Sequence, residues 1–462
     1  MNKDRFLSVR GDKLVDATGK TVTLRGYNIG GFLNMENFLT GYPGTESLQR
    51  AALLRALGQT RYDLFFEHFY EAFFSYDDAA YLASLGMNHV RLPINYRQLE
   101  DDERPFVIKE EGLKRIDRVL EACDRAGIYL MLDLHAHPGA QNQHWHSDNP
   151  THYAFFWQHP HFQDRTINIW EKLADRYKGN PAIAGYNIMN EPGDASGLKI
   201  KPFYDRAVAA VRAIDKDHII YLDGNRYGTE FTAFENQPLY ENTVYAAHDY
   251  KTPGMSYGGP YPGITRGVYV DRAHVEQTFL GRTEFMRKTG TPIWIGEFGP
   301  VFNNDESDKG KYQLLADQLD IYNEHGASWS IWAFKDLGKE GVLAAAPDSP
   351  WVKRVQPIVD KKQRLGTDSW GSNDTNVRDI MEPVERAMER EYPNFEPFPF
   401  GKLNWAQQLV RSIMLAEPMA GDFEACFRDI ADDATVIALA ESFAFRNCVK
   451  RQPLADIIAA RT

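Results

Sequence analysis

The sequence predicts an α/β fold: a closed (β/α)8 TIM barrel with a long loop insert after strand 1 and a helical C-terminal extension. Three observations lead there. Short apolar runs alternate with amphipathic helices, the pattern of βαβ units and a parallel sheet. There are eight such runs, which fits a closed barrel better than an open sheet. The 462 residues leave room for one barrel of about 250 residues plus additions.

Strands are expected at residues 22–27, 88–94, 129–134, 183–189, 219–222, 243–247, 292–296 and 328–333. Helices are expected at 77–85, 109–126, 164–177, 201–214, 272–288 and 311–324. The run 129–134 is almost continuously apolar, as a strand covered on both faces must be. The helix before it carries Leu113, Ile116, Val119, Leu120 and Cys123 at helical spacing, with charged residues between, and Gly127 stops it. Some fifty residues separate the first strand from the helix at 77, against about 2–6 in an ordinary βα loop. Leu53, Leu54, Leu57, Leu64, Phe65 and Phe69 give that insert a helix of its own.

About 130 residues follow the last strand. They pass Trp351 and Trp370, a helix near 378–391, and a stretch at 392–400 that Pro393, Pro397 and Pro399 interrupt. From 402 onward Trp405, Leu409, Ile413, Phe423, Phe427 and Ile430 read as helical apolar positions. The expected division is a catalytic domain over 1–400 and a helical extension over 401–462, packed on or near the barrel.

Composition narrows the function. With 43% hydrophobic and 25% charged residues the chain can bury a large core and is not globally disordered. A net charge of −12, without a basic stripe, argues against nucleic acid or an anionic membrane surface as partner. No run of 18 apolar residues could span a bilayer. Cys123, Cys426 and Cys448 fit no zinc pattern and suit a reduced compartment. They read as small buried apolar residues, not nucleophiles, since none lies at a strand exit. Residues 1–13 carry charge throughout and no apolar core of a signal peptide. The expectation is a cytoplasmic protein, secreted only if a leader was removed. Nine Trp, 23 Tyr and 27 Phe suit either ring-shaped ligands or a large core.

In such a barrel the reactive groups sit where strands end, at the C-terminal face. Strand two exits through Arg91, strand three at His135 and then His137, and strand four through Asn190-Glu191-Pro192. Strand six exits at His248-Asp249-Tyr250, strand seven at Glu297, and strand eight at Trp332. Glu191 and Glu297 thus face each other across a ring-lined pocket. Glycosidic cleavage needs such a pair, one carboxyl to protonate the leaving oxygen and one to attack the anomeric carbon or activate water. A nearby Arg and His would keep one carboxylate ionised, and a more desolvated setting would keep the other protonated. Ordinary strand-end salt bridges are the alternative reading of either Glu alone.

Taken together, the exits resemble those of the retaining glycoside hydrolases of family 5, across about residues 15–340. Members place Arg after strand two, His after three, Asn-Glu-Pro after four, His-x-Tyr after six, Glu after seven and Trp after eight. The resemblance implies that Glu191 is the general acid/base and Glu297 the nucleophile, with their carboxyl groups about 5–5.5 Å apart. It also implies that Asn190 binds the sugar 2-hydroxyl, Arg91 and Tyr250 hold Glu297, His248 orients groups nearby, and Trp332 floors the sugar site. The stretch from Asp133 to Asn142 is similar to the exo-β-1,3-glucanase branch, and His144-Trp145-His146 and His152 depart from it. His137, Asn142 and Trp145 are expected beside the substrate, a β-glycoside or oligosaccharide, and His137, His144 and His146 read as loop residues that hydrogen-bond substrate or neighbouring backbone.

The expected activity is retaining, exo-acting hydrolysis of β-glucosides or short β-glucans, with no cofactor and no metal, and a β-mannosidase as the same-fold alternative. The insert after strand one would wall off one end of the cleft or merely pack on the barrel rim. Two rivals come from other classes. Seven of the 13 histidines lie between His135 and His161, and the His-x-His pairs His135/His137 and His144/His146 among them invite a metal-dependent amidohydrolase. Strand five, however, exits through Asp223-Gly224-Asn225, without the Lys or His such enzymes need. A silent carbohydrate-binding scaffold would have no physical need of Arg91, Asn190, Glu191, Tyr250 and Glu297 together. The C-terminal helices are expected either to join copies into a homo-oligomer or to cover the barrel.

Overall fold

The computed structural model describes residues 3–234, 240–250, 260–265, 267–368 and 373–462; Trp370 lies outside them. Eight parallel strands close a barrel: β1 Arg25–Asn28, β2 His89–Asn95, β3 Tyr129–Ala136, β4 Ile183–Asn187, β5 Ile220–Asp223, β6 Thr243–His248, β7 Ile293–Glu297 and β8 Ser328–Ile331. β8 returns to β1 through Trp329 opposite Arg25 and Ile331 opposite Tyr27. The strands are buried almost throughout, because helices cover the outside and side chains fill the inside.

The lower interior is a separate cluster of Leu24, Tyr129, Met131, Tyr221, Val244 and Trp294. Leu7 and Leu14 join it from a hairpin, Ser8–Arg10 with Lys13–Val15, that the sequence reading did not anticipate. Val22 donates its N–H to Leu14, so the front of the first apolar run serves this hairpin. β1 therefore begins at Arg25.

The barrel helices fall where the periodicity places them, with one exception. The helix expected over 272–288 is two, Arg272–Arg282 and Glu284–Thr289. At the break, the Thr283 hydroxyl donates to the Phe279 carbonyl at 2.8 Å, a local bond that competes with the helix ladder. A further helix, Pro350–Leu365, was not anticipated. Its signals are present in Ser349 as N-cap, Pro350 in the first turn and Gly366 at φ 62° beyond the end, but Pro357 in its interior disguises them.

The insert forms α1, Glu46–Phe73, which changes direction at Gly58 (φ 71°), a backbone angle that only glycine adopts without strain. Phe65 stacks on Trp351 at 5.3 Å, and Phe69 and Phe73 meet Phe443 at 5.3 and 5.6 Å. Helices Ala420–Ala425 and Asp433–Glu441 of the extension lie along α1. Phe423, Phe427 and Leu439 belong to the same apolar core as the barrel's helices. The extension is not purely helical: Cys448–Lys450 adds an antiparallel strand to Leu343–Ala345. Lys335, just beyond β8, is fully buried, and its ammonium donates to Phe73 O (2.6 Å), Asp78 Oδ1 (2.6 Å) and Phe443 O (2.8 Å). Its three N–H groups thus satisfy three segments at once. Among the described residues, no helix is long and apolar enough to cross a membrane.

Candidate active site

A cleft of about 770 Å³ opens at the C-terminal ends of the strands, and His135, Glu191, His248, Tyr250, Glu297 and Trp332 all line it. Arg91, near the start of β2, lies beneath it, fully buried. Its guanidinium has five N–H groups, and acceptors surround them. Nε donates to Asn187 Oδ1 (3.0 Å), and Nη1 to Asn28 Oδ1 (3.0 Å) and Glu297 Oε1 (2.7 Å). Nη2 donates to Asn190 Oδ1 (2.8 Å) and lies 3.1 Å from Asp133 Oδ2. The Tyr250 hydroxyl donates to the other Glu297 oxygen at 3.1 Å. Glu297 is thereby fixed at both oxygens on the end of β7.

Asp133 is fully buried, and burial pushes its carboxyl up to about 7 despite Arg91. It holds His135 Nδ1 at 2.7 Å, and His135 Nε2 lies 3.3 Å from the Asn190 amide nitrogen. Burial lowers the His135 pKa, so the neutral ring donates through Nδ1 and accepts through Nε2. That ring stacks on Trp332 at 5.2 Å and 14°. A Cβ on Gly30 would come within 2.8 Å of the Trp332 indole, so glycine just beyond β1 leaves the indole its room.

Glu191 takes φ 46°, an uncommon angle for a side-chain-bearing residue, costing of order 1–3 kcal/mol. Two neighbours hold it there: its N–H donates to Asp223 Oδ2 and its carbonyl accepts from Asn142 Nδ2, both at 2.9 Å. Two imidazoles grip its carboxylate, His248 Nδ1 at 2.7 Å from Oε1 and His146 Nε2 at 3.1 Å from Oε2. Burial alone would raise its pKa, but the two histidines hold it well below the usual carboxylate range. Burial also works against a charged His248, yet Glu297 (3.6 Å), Asp223 (3.4 Å) and Glu191 together raise it to about 9. The expectation of one carboxyl kept protonated by desolvation is corrected for Glu191. Between Glu191 and His248 these shifts favour the proton on the imidazole. An oxygen of Glu191 lies within 4.8 Å of one of Glu297.

This charge arrangement gives a stability prediction. An unperturbed histidine titrates near 6.5, and folded His248 near 9. A histidine raised on folding contributes stability that is complete below about pH 6.5 and is lost as pH climbs through about 9. The melting temperature should fall across that window, and His248→Gln, which cannot titrate, should flatten the fall. Parallel pH profiles for the two proteins would refute the assignment.

Three other expected substrate contacts fare differently. Trp145 lines the cleft, with His144 stacked on it at 5.3 Å and 3°. His137 is corrected as a substrate contact: it lies in the loop beyond β3, which ends at Ala136, and bonds neighbouring backbone instead. Its Nε2 is spent on Leu134 O (2.9 Å) and its Nδ1 on Thr166 (3.3 Å), and burial lowers its pKa to about 3. Asn142 is also corrected, since its amide braces the Glu191 carbonyl and lies 2.8 Å from His146. With His137 turned away, the His135–His137 pair that the metal-dependent rival would need does not form. Among the described residues Glu191, His248 and Glu297 do converge, but a guanidinium 2.7 Å from Glu297 repels any cation placed there.

Sequence reasoning missed Glu36 and Phe38. It read His146 as a loop residue bonding substrate or backbone, and the structure sets it on the Glu191 carboxylate instead. Glu36 and Phe38, which line the cleft from the segment before α1, belong to no motif. Glu36 Oε1 stands 3.7 Å from His135 Nε2, and Phe38 packs with Trp332.

A (β/α)8 barrel presenting two carboxylates across an aromatic-floored cleft defines a glycoside hydrolase, an enzyme of O-glycosyl bonds. The family model described as cellulase (glycosyl hydrolase family 5) matches residues 63–338. The chain belongs to glycosyl hydrolase family 5 and acts on β-glycosides. It is 41% identical to a β-xylosidase of Phanerodontia chrysosporium, over 98% of this chain and 97% of that protein. It is 29% identical to a probable glucan 1,3-β-glucosidase A of Aspergillus clavatus, over 49% of this chain and 55% of the relative. Among solved structures, a glycoside hydrolase at 22% identity shares the fold with a TM-score of 0.51, over 69% of this chain and 90% of the other.

Proposed function

We propose that the chain is a retaining exo-β-glycosidase that releases one sugar of gluco configuration, glucose or xylose, from a β-glycoside or short β-glucan. The observation that carries this is the pairing of Glu297, bound to Arg91 and Tyr250, with Glu191, gripped by two histidines, within 4.8 Å. That spacing suits the short separation of retaining enzymes and not the roughly 6.5–9.5 Å of inverting ones.

In the first step Glu297 attacks the anomeric carbon and Glu191 gives a proton to the departing oxygen, leaving a glycosyl ester on Glu297. Glu191 draws that proton from the His248 imidazolium 2.7 Å away. In the second step Glu191 takes a proton from water, which attacks the same carbon and frees Glu297. Asn190, oriented by Arg91 and His135, is placed to meet the 2-hydroxyl, and the Trp332 indole to face the ring's C–H groups. Exo action is supported by Glu36 and Phe38, which the insert adds to the cleft lining, Phe38 packed with Trp332. The gluco configuration is supported by two relatives named for xylosidase and glucosidase activity, whose sugars share an equatorial 2-hydroxyl. A cytoplasmic location belongs to the same proposal, supported by three free cysteines.

Initial rates on 4-nitrophenyl β-glycosides of glucose, xylose, mannose, galactose and cellobiose test it. Fast release from the glucoside or xyloside is expected. Preference for the mannoside would favour the β-mannosidase reading, and release from the cellobioside alone would refute exo action.

A further inference from the structure

The cleft wall on the Glu191 side is not made by the barrel alone. Phe400, Asn404 and Gln408 line the same cavity as Glu191 and Glu297. They come from the end of the proline-rich stretch, the helix Gly401–Gln407 and the wider π-helical turns Gln408–Met414 that continue it. Such π-helical turns are rare and occur frequently at functional sites.

Arg226, in the turn after β5, ties this segment to the barrel. Its Nε and Nη2 both donate to the Pro399 carbonyl, at 2.9 and 2.5 Å. Arg226 and Tyr227 take φ values of 52° and 60°, a strained pair of angles that makes the turn sharp. The Tyr227 ring lies 5.4 Å from Phe400 on one side and 4.9 Å from His144 on the other. Tyr227 is fixed by a bond from its hydroxyl to Gln143 Oε1 (3.1 Å) and one from its N–H to Pro192 O (3.3 Å). Phe400 leaves 48% of its surface exposed, so an apolar face is turned toward the open cleft.

Position assigns the wall its role. Tyr227 lies 6.0 Å from His146, the histidine on Glu191, whereas Trp332, Glu36 and Phe38 gather around His135, Trp332 stacked on it at 5.2 Å, Glu36 3.7 Å from its Nε2 and Phe38 packed with Trp332. The group that receives a proton from Glu191 departs on the Glu191 side.

We propose that the C-terminal extension builds the leaving-group site, an inference resting on the roles proposed for Glu191 and Glu297. The Phe400 ring, backed by Tyr227, binds the flat face of a ring-shaped leaving group, and the amides of Asn404 and Gln408 hydrogen-bond its edge. The shared chemistry is a flat ring with polar edges, and either a second sugar or an aromatic aglycone supplies it.

The test uses the full chain with Phe400→Ala, Asn404→Ala and Phe400→Tyr on three substrates of one glycone. These are the β-glycosyl fluoride, whose leaving group is too small to reach the wall, the 4-nitrophenyl glycoside and the β-linked disaccharide. In the alanine variants the ratio of kcat/KM for a ring leaving group to that for fluoride should drop about tenfold, and Phe400→Tyr should restore it. A drop for the disaccharide alone assigns the site to sugars. A drop for the nitrophenyl glycoside as well assigns it to ring faces in general. Unchanged ratios in alanine variants that melt like the wild type would overturn the proposal. A wild type that hydrolysed none of the three would instead remove the glycosidase reading on which it rests.

Discussion

Glu297→Gln is expected to lose turnover by about 10⁴-fold or more while the fold survives. The reason lies in the groups around the side chain. Glutamine keeps an oxygen for Arg91 Nη1, now 2.7 Å from Glu297 Oε1, and a polar atom opposite the Tyr250 hydroxyl. Arg91 retains Asp133 as its counter-ion at 3.1 Å. What disappears is the anionic nucleophile, and with it the covalent intermediate. Steady-state rates together with a thermal melt check this. A glutamine variant that turned over at a normal rate would remove Glu297 from the chemistry.

Glu191→Ala should show a different signature, a loss that depends on the leaving group. Glycosides with poor leaving groups need the proton and should slow by about 10²–10⁴-fold. A 4-nitrophenyl leaving group needs little protonation, so its release should survive the first step and stall at deglycosylation, where Glu191 would activate water. Added azide, an anion that needs no base, should relieve the stall and yield the β-glycosyl azide. Equal loss on every leaving group, with no azide effect, would make Glu191 a structural residue whose removal merely unsettles His146 and His248.

Much of this site was legible because a barrel collects its chemistry at strand ends. Reading Asn190-Glu191, His248, Tyr250, Glu297 and Trp332 off eight apolar runs required only the placement of those runs, and strands buried on both faces are the easiest elements to place. Arg91, read as the exit of strand two, lies near the start of β2 and reaches Glu297 from beneath. The errors arose where an end was misjudged or a loop departed from the barrel. His137 was expected beside the substrate, but the loop after β3 turns it onto the Leu134 carbonyl. The grip of His146 on Glu191 depends on a loop that folds back over the cleft, and no local spacing encodes that return. Glu36 and Phe38 come from an insert whose apolar pattern reveals a helix but not which of its neighbours reaches the substrate. The charge state of Glu191 was misjudged for a related reason, since it depends on two histidines 45 and 57 residues away in the chain.

The contact of Phe69 with Phe443 has a consequence for how the chain is made. The insert helix emerges early from the ribosome with its aromatic face complete, and the residues that cover that face follow about 370 positions later. At about 5–20 residues per second the wait lasts roughly 20–75 s. Through that interval a nascent chain carries Phe65, Phe69 and Phe73 unshielded, along with the partners meant for Lys335. Vectorial synthesis thus leaves this enzyme a window in which a chaperone, or a neighbouring nascent chain, meets its stickiest surface before its own last helices do.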